Sequence, residues 1–231
     1  MIHLRLLAFT YAARRAFRNA AAALLFTLSP AYAESVTLVA LGDSLTAGYG
    51  LPQDQGLVPQ LEGWLRANGA EVTVVNAGVS GDTTAGGLSR LDWSLTPETD
   101  ALMVTLGGND MLRGLSPQEV KANLTGILEG ARARGLPVLL VGMKAPSNWG
   151  PDYKTAFDAV YPDLAAQYGA LLTEDFFAGL VAAGADPADP ASMARWMQAD
   201  GIHPNAEGAR LIAAALGPAV LALVARVPRA P

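Results

Sequence analysis

The chain has 231 residues, 51% of them hydrophobic, enough to bury one full core, so a single domain is the default. It contains no cysteine, which excludes thiol nucleophiles, disulfides and thiolate metal sites. Its formal net charge of −5, from 16 basic and 21 acidic residues, argues against nucleic acid and against electrostatic docking on anionic lipid.

Residues 1–33 read as a segment apart. Arg5, Arg14, Arg15 and Arg18 make a positive stretch, Ala20 to Leu28 is apolar, and Ala31-Tyr32-Ala33 has the small-x-small pattern of a cleavage site. The apolar part falls well short of the roughly twenty residues needed to span a bilayer. A secretory signal peptide cut after Ala33 is expected, leaving residues 34–231 as one domain with no stable membrane anchor, periplasmic or secreted. The Arg14-Arg15 pair leaves the export route open between the general and twin-arginine systems. Removing the segment takes four arginines and no acid, leaving 12 basic against 21 acidic residues, a net charge of about −9. It also takes His3, so His203 is the one histidine that remains.

Val36 to Leu41 is an unbroken apolar run with β-branched residues, the pattern of a strand buried on both faces of a parallel sheet. It ends in Gly42-Asp43-Ser44, at the carboxyl end of a strand, where open α/β sheets hold their chemistry. Alone, that triplet is ordinary turn composition. Gly56 to Asn68 carries Leu57, Leu61, Trp64 and Leu65 at helical spacing. Glu71 to Asn76 is a short β-branched strand that runs into a loop, Ala77 to Asp82. Thr84 to Leu91 reads as a short helix and Thr96-Pro97 as a connector. Ala101 to Leu106 is a further apolar strand, ending in Gly107-Gly108-Asn109-Asp110, read as a turn.

Ser116, Pro117 and Glu119 form a capping box ahead of Val120, Leu124, Ile127, Leu128 and Ala131 on one helix face. Pro137 to Met143 is the fourth strand, followed by a loop through Pro146, Asn148 and Gly150. A helix from Tyr153 to Tyr168 and a short strand at Ala170 to Leu172 come next. Ala183 to Ser192, with Asp186-Pro187 and Asp189-Pro190, reads as a loop. Asn205 caps a last helix that Pro218 is expected to kink or restart. Alternation of strand and helix predicts a three-layer α/β/α sandwich around a central, mostly parallel five-stranded sheet.

Three strands in a row thus end in polar or glycine turns at one edge of the sheet: Ser44, Gly78 and Asn109. Before the last helix stands Asp200-Gly201-Ile202-His203-Pro204. In a loop bent at Gly201, the Asp200 carboxylate can meet one imidazole nitrogen of His203 and leave the other free. Serine chemistry needs that arrangement, since a neutral hydroxyl is a poor nucleophile until a histidine takes its proton and a carboxylate fixes the tautomer. The same residues also suit a surface histidine and a turn acid. With His203 alone able to act as base, one dominant ionisation is expected on the acid side of the activity profile.

The blocks Gly42-Asp43-Ser44-Leu45, Gly78, Gly107-Gly108-Asn109-Asp110 and Asp200-Gly201-Ile202-His203-Pro204, in that order, resemble the GDSL, or SGNH, hydrolases. Val75 to Thr83 and Leu112-Arg113-Gly114 further resemble the periplasmic subgroup of acyl-CoA thioesterases, lysophospholipases and arylesterases, so the likeness runs from about Val36 to Asn205. The resemblance implies a flavodoxin-like fold, Ser44 as nucleophile, His203 as base and Asp200 as its orienter. It implies an oxyanion hole made by the Ser44 and Gly78 amides and the Asn109 side chain. Those assignments suit the chemistry: a tetrahedral intermediate needs preset donors, glycine lets backbone approach a ligand, and a carboxamide supplies N–H. Asp43 and Asp110 are read as structural caps. Thr46 stands where the nucleophile elbow Gly-x-Ser-x-Gly has its second glycine, which disfavours the common α/β-hydrolase fold.

The function so implied is a secreted serine hydrolase of acyl esters and thioesters, monomeric, without metal or organic cofactor and without nucleic-acid partner. Leu51, Leu57, Leu112, Leu115 and Ala145-Pro146 suggest an apolar groove. Trp149 and Tyr153 suit stacking on a sugar, which keeps a glycan O-acetyl esterase as the rival. A nucleotide-binding module lacks its fingerprint, since no Gly-x-Gly-x-x-Gly follows the first strand.

Overall fold

A computed structural model of the chain describes residues 35–186 and 189–228. The expected signal segment, residues 1–33, lies outside the described residues. Strands β1 (Val36–Gly42), β2 (Val72–Gly78), β3 (Ala101–Thr105), β4 (Val138–Val141) and β5 (Leu171–Thr173) form one sheet in the order β2-β1-β3-β4-β5, parallel throughout. Burial follows from position. Leu38 to Leu41 in β1 and all of β3 and β4 are buried, as their unbroken apolar runs require, while edge strand β2 alternates from Val72 to Val75.

Beside three short 3-10 helices, the described residues form ten α-helices: α1 (Ser44–Ala47), α2 (Leu57–Ala67), α3 (Thr84–Ser89), α4 (Leu91–Ser94), α5 (Gly108–Leu112), α6 (Pro117–Ala133), α7 (Pro151–Tyr168), α8 (Ala178–Ala182), α9 (Pro190–Met193) and α10 (Ala206–Val224). Helices α2, α8 and α10 pack together on one side of the sheet, and α3, α4, α6 and α7 on the other, giving the expected three layers. The capping box of α6 forms as the sequence predicts: Ser116 Oγ accepts from the Glu119 amide at 3.2 Å and Glu119 Oε2 accepts from the Ser116 amide at 3.2 Å. Asn205 caps α10, accepting from the Gly208 amide at 3.0 Å.

Several local expectations are corrected. Gly107 to Asp110 is no open turn: Gly107, at φ 114°, caps helix α5, so Asn109 sits in a first helical turn. A side chain at Gly107 would meet the buried Tyr161 hydroxyl, which donates to the Leu106 carbonyl at 2.9 Å. The expected helix from Thr84 to Leu91 divides at Arg90 into α3 and α4. The expected loop from Ala183 to Ser192 contains α9, capped by Asp189 with Pro190 at its first position. Pro218 does not restart the last helix, which runs on from Ala206 to Val224. Val220 and Leu223 beyond it are fully buried, and their burial outweighs the roughly 3 kcal/mol that an interior proline costs a helix. By length and composition α10 could cross a membrane, but in this fold it is a core helix, with Ile212, Ala213, Leu216, Val220 and Leu223 buried.

Candidate active site

The strand order reverses between β1 and β3, and the carboxyl ends of β2, β1 and β3 lie side by side there, with Gly42 in register with both Gly78 and Thr105. At such a switch point the loops part and leave a crevice. Asp43 leaves β1 and caps α1, its Oδ1 accepting from the Leu45 amide at 2.9 Å, which puts Ser44 at the first helical position. The Ser44 amide, at that first position, therefore has no intrahelical acceptor.

Thr46 is fully buried where an ordinary elbow has glycine. Gly42 explains this, because a side chain there would sit 2.0 Å from Thr46 Oγ1. The strand residue, not the helix residue, makes the room. Gly78 is needed for the same kind of contact: a Cβ on it would stand 2.3 Å from the Ala47 nitrogen and 2.8 Å from the Asp43 carbonyl oxygen.

Asp200, His203 and Ser44 come together although 159 residues separate the last two. Asp200 Oδ2 lies 2.7 Å from His203 Nδ1, and His203 Nε2 lies 2.9 Å from Ser44 Oγ. Asp200 Oδ1 also accepts from the Ile202 and His203 amides at 2.9 and 3.0 Å. Those backbone donors, led by His203, together with the imidazole hold the Asp200 carboxyl down to about 2. Gly201, at φ 68°, gives the bend that the sequence reading assigned to it.

Asn109 directs its Nδ2 to Asp43 Oδ2 at 3.1 Å, leaving the second hydrogen of that nitrogen for a ligand. Gly78 lies at the same edge, but its amide donates to Asn76 Oδ1 at 3.0 Å. Of the three expected oxyanion donors, Gly78 thus has an internal acceptor that a substrate oxygen would have to displace. Asp110 lies apart from this group. Fully buried, it accepts from Thr84 N at 2.9 Å and Thr84 Oγ1 at 2.6 Å and so holds the start of α3, the structural role expected of it. Asp43 is a cap, as expected, but also the partner of Asn109.

Two further residues support the site and went unread in the sequence. Arg90 donates from Nη2 to the Gly42 carbonyl at 2.8 Å and from Nε to Asp82 Oδ2 at 2.6 Å, bracing the end of β1. Gln198 donates from Nε2 to the Tyr49 carbonyl at 2.7 Å and the Pro204 carbonyl at 2.9 Å, tying the histidine loop to the chain after α1. An arginine and a glutamine carry no local signal for such distant partners.

Exposed apolar side chains flank the site residues. The Tyr49 ring lies 4.5 Å from the His203 ring, Val79 and Ile202 adjoin Gly78 and His203, and Leu112 stands one turn on from Asn109. Beside Ser44 and His203, Leu45, Leu51, Leu57, Phe176 and Ile212 line an apolar recess. Of the expected groove residues, Ala145 is buried, its carbonyl held by Lys154 and its amide by Asp158. Trp149 is exposed over Gly114, whereas Tyr153 is tied by its hydroxyl to the Leu115 carbonyl at 3.0 Å.

A doubly wound sheet with serine, histidine and aspartate in hydrogen-bonded line at its switch point defines a hydrolase of the α/β/α sandwich class. The chain belongs to the GDSL-like lipase/acylhydrolase family, whose model matches residues 40–211, and it is an ester-hydrolysing enzyme. It is 44% identical over 173 residues to a protein named esterase TesA of Pseudomonas aeruginosa, covering 74% of this chain and 81% of that one. It is 37% identical over 179 residues to thioesterase 1/protease 1/lysophospholipase L1 of Escherichia coli K12, covering 77% and 79%. Among solved structures, AlinE4, described as an SGNH-hydrolase family esterase, superposes with a TM-score of 0.65 at 43% identity, covering 82% of this chain and 96% of that one.

Proposed function

We propose that the chain is an exported serine hydrolase of acyl esters and thioesters that works through an acyl-Ser44 intermediate. The observation that carries this is the line from Asp200 through His203 to Ser44, at 2.7 and 2.9 Å. His203 Nε2 takes the Ser44 proton as Oγ attacks the carbonyl carbon, while Asp200 holds the imidazole tautomer and stabilises its charged form. The oxyanion is received by the Ser44 amide, the Asn109 carboxamide and the Gly78 amide once Asn76 gives way. Collapse expels the alcohol or thiol, which leaves with the proton from His203. Water, activated by the same imidazole, then cleaves the acyl-serine and restores Ser44.

The esterase and thioesterase names of its relatives support the substrate class, and the exposed apolar side chains of Tyr49, Val79, Leu112 and Ile202 beside the site residues suit an acyl chain. The chain acts as a monomer, without cofactor, after export and loss of residues 1–33. A glycan O-acetyl esterase is the second reading, favoured by the exposed Trp149 ring over Gly114, five residues beyond Asn109. The test is steady-state turnover of p-nitrophenyl butyrate, acyl-CoA, lysophospholipid and acetylated sugar by wild type, Ser44→Ala and His203→Ala. Both variants are expected to lose nearly all turnover, with acyl-CoA or lysophospholipid preferred over acetylated sugar. Wild-type rates in His203→Ala would sink the mechanism, and a preference for acetylated sugar would favour the second reading.

A further inference from the structure

A carboxamide has two ends of nearly equal size, so sterics alone do not decide which way Asn109 points. Hydrogen bonding does. Asp43 is only 2% exposed and its Oδ1 is engaged by the Leu45 amide, which leaves Oδ2 facing Asn109 at 3.1 Å. An ionised carboxylate only accepts hydrogen bonds, so it selects the nitrogen end of Asn109. A protonated carboxyl can donate, and it then stabilises the reversed amide, which presents a carbonyl oxygen where negative charge must develop.

We propose that Asp43 is a positioning residue for the oxyanion donor: its carboxylate holds the Asn109 carboxamide nitrogen-first, and a proton on Asp43 releases that hold. The proposal rests on the assignment of Asn109 to the oxyanion hole. Burial raises the Asp43 carboxyl from 3.8 to about 6, against the lowering by the Leu45 amide, Asn109 and His203, so the release falls within the range where esterases are assayed. The titratable groups facing Asp43 are His203 across the site and Tyr161 on α7. The Tyr161 hydroxyl is held protonated by burial, with Asp110 and Asp43 adding to the effect. Arg90 reaches the Gly42 carbonyl one residue away. Proton uptake by Asp43 therefore adds to the loss of the base, and the acid limb of the activity profile takes up two protons where the sequence alone led to one.

The test uses the full chain and p-nitrophenyl butyrate, with kcat and KM measured from about pH 4 to 8, where kcat/KM reports the free enzyme. In wild type, log kcat/KM is expected to fall on the acid side with a slope that steepens from 1 toward 2 over the one to two pH units below about 6, as far as a 10- to 100-fold loss reaches. Asp43→Asn keeps a good helix cap. It is expected to lower kcat about 10- to 100-fold with KM within about twofold, and to reduce the acid slope to 1. Asn109→Ala is expected to lose about 100- to 1,000-fold, and the double variant Asp43→Asn/Asn109→Ala no more than that, because Asp43 acts through Asn109. A wild-type slope of 1 overturns the proposal without any variant. So does a wild-type rate in Asp43→Asn, or full multiplication of the two losses, while a slow Asn109→Ala leaves the oxyanion assignment standing. A wild-type rate in Asn109→Ala removes that assignment, and the proposal with it.

Discussion

Asp43 weighs on the fold because its carboxylate is ionised where water is excluded. With its carboxyl raised from 3.8 to about 6, the folded chain binds that proton more tightly than the unfolded chain does, so this group's contribution to stability falls as pH rises from about 4 to about 6. Above that window the cost is on the order of 3 kcal/mol. Asp43→Asn should therefore melt a few degrees above wild type at pH 8, with the gap closing near pH 4. Melting curves at the two pH values check this, and an equal gap at both would show that charge is not the cause. Asp200 runs the other way: its carboxyl is lowered to about 2, so its contribution is present above about 4 and lost as pH falls through about 2. Asn109→Ala also leaves the buried Asp43 carboxylate without one of its donors. Beyond its loss of rate it should lose about 1 to 3 kcal/mol of stability, read from denaturant unfolding. The open turn read from the sequence implied no such loss.

Between elements, two glycines mark backbone approaches with different consequences. Gly78 brings the end of β2 against α1, and a Cβ there would stand 2.3 Å from the Ala47 nitrogen, which cannot move without shifting Ser44. Gly78→Ala is expected to lower both melting temperature and kcat, the latter by about 100-fold or more, as a small misplacement of the proposed nucleophile would. Gly217 lies in α10 under the Trp64 ring of α2, and a Cβ there would stand 2.2 Å from it, well away from the chemistry. Gly217→Ala should cost about 1 to 3 kcal/mol of stability with kcat/KM within about twofold of wild type. Unfolding and kinetics measured on the two variants separate the effects, and a large loss of kcat in Gly217→Ala would show that α10 transmits strain to His203. Much at this scale was readable: the apolar runs of β1 and β3, the capping box of α6 and the Asn205 cap are all local patterns. Short helices α1, α5, α8 and α9 are not, because four or five residues hold no complete hydrophobic period. Their caps were the available signal, as Asp189-Pro190 illustrates for α9.

For the whole molecule, the proposed export predicts a periplasmic or secreted protein beginning at Glu34 with a net charge of about −9. N-terminal sequencing of material from the periplasm or medium tests it, and recovery of the form beginning at Met1 in the membrane fraction would count against cleavage. The sequence by itself determined the layered α/β class and the strands that lead into Ser44, Gly78 and Asn109, and it allowed, without fixing, the pairing of Asp200 with His203. Each rests on residues close enough along the chain for spacing to allow contact. Tertiary structure alone decided that Asp43 meets Asn109 across 66 residues and that Arg90 braces the Gly42 carbonyl across 48. It also decided that α10 runs through Pro218, since burial on the sheet outweighs a lost helical hydrogen bond. The physical reason is common to these cases: a side chain's local propensity is set by its neighbours in sequence, whereas its partner is set by which strand ends the sheet order places side by side.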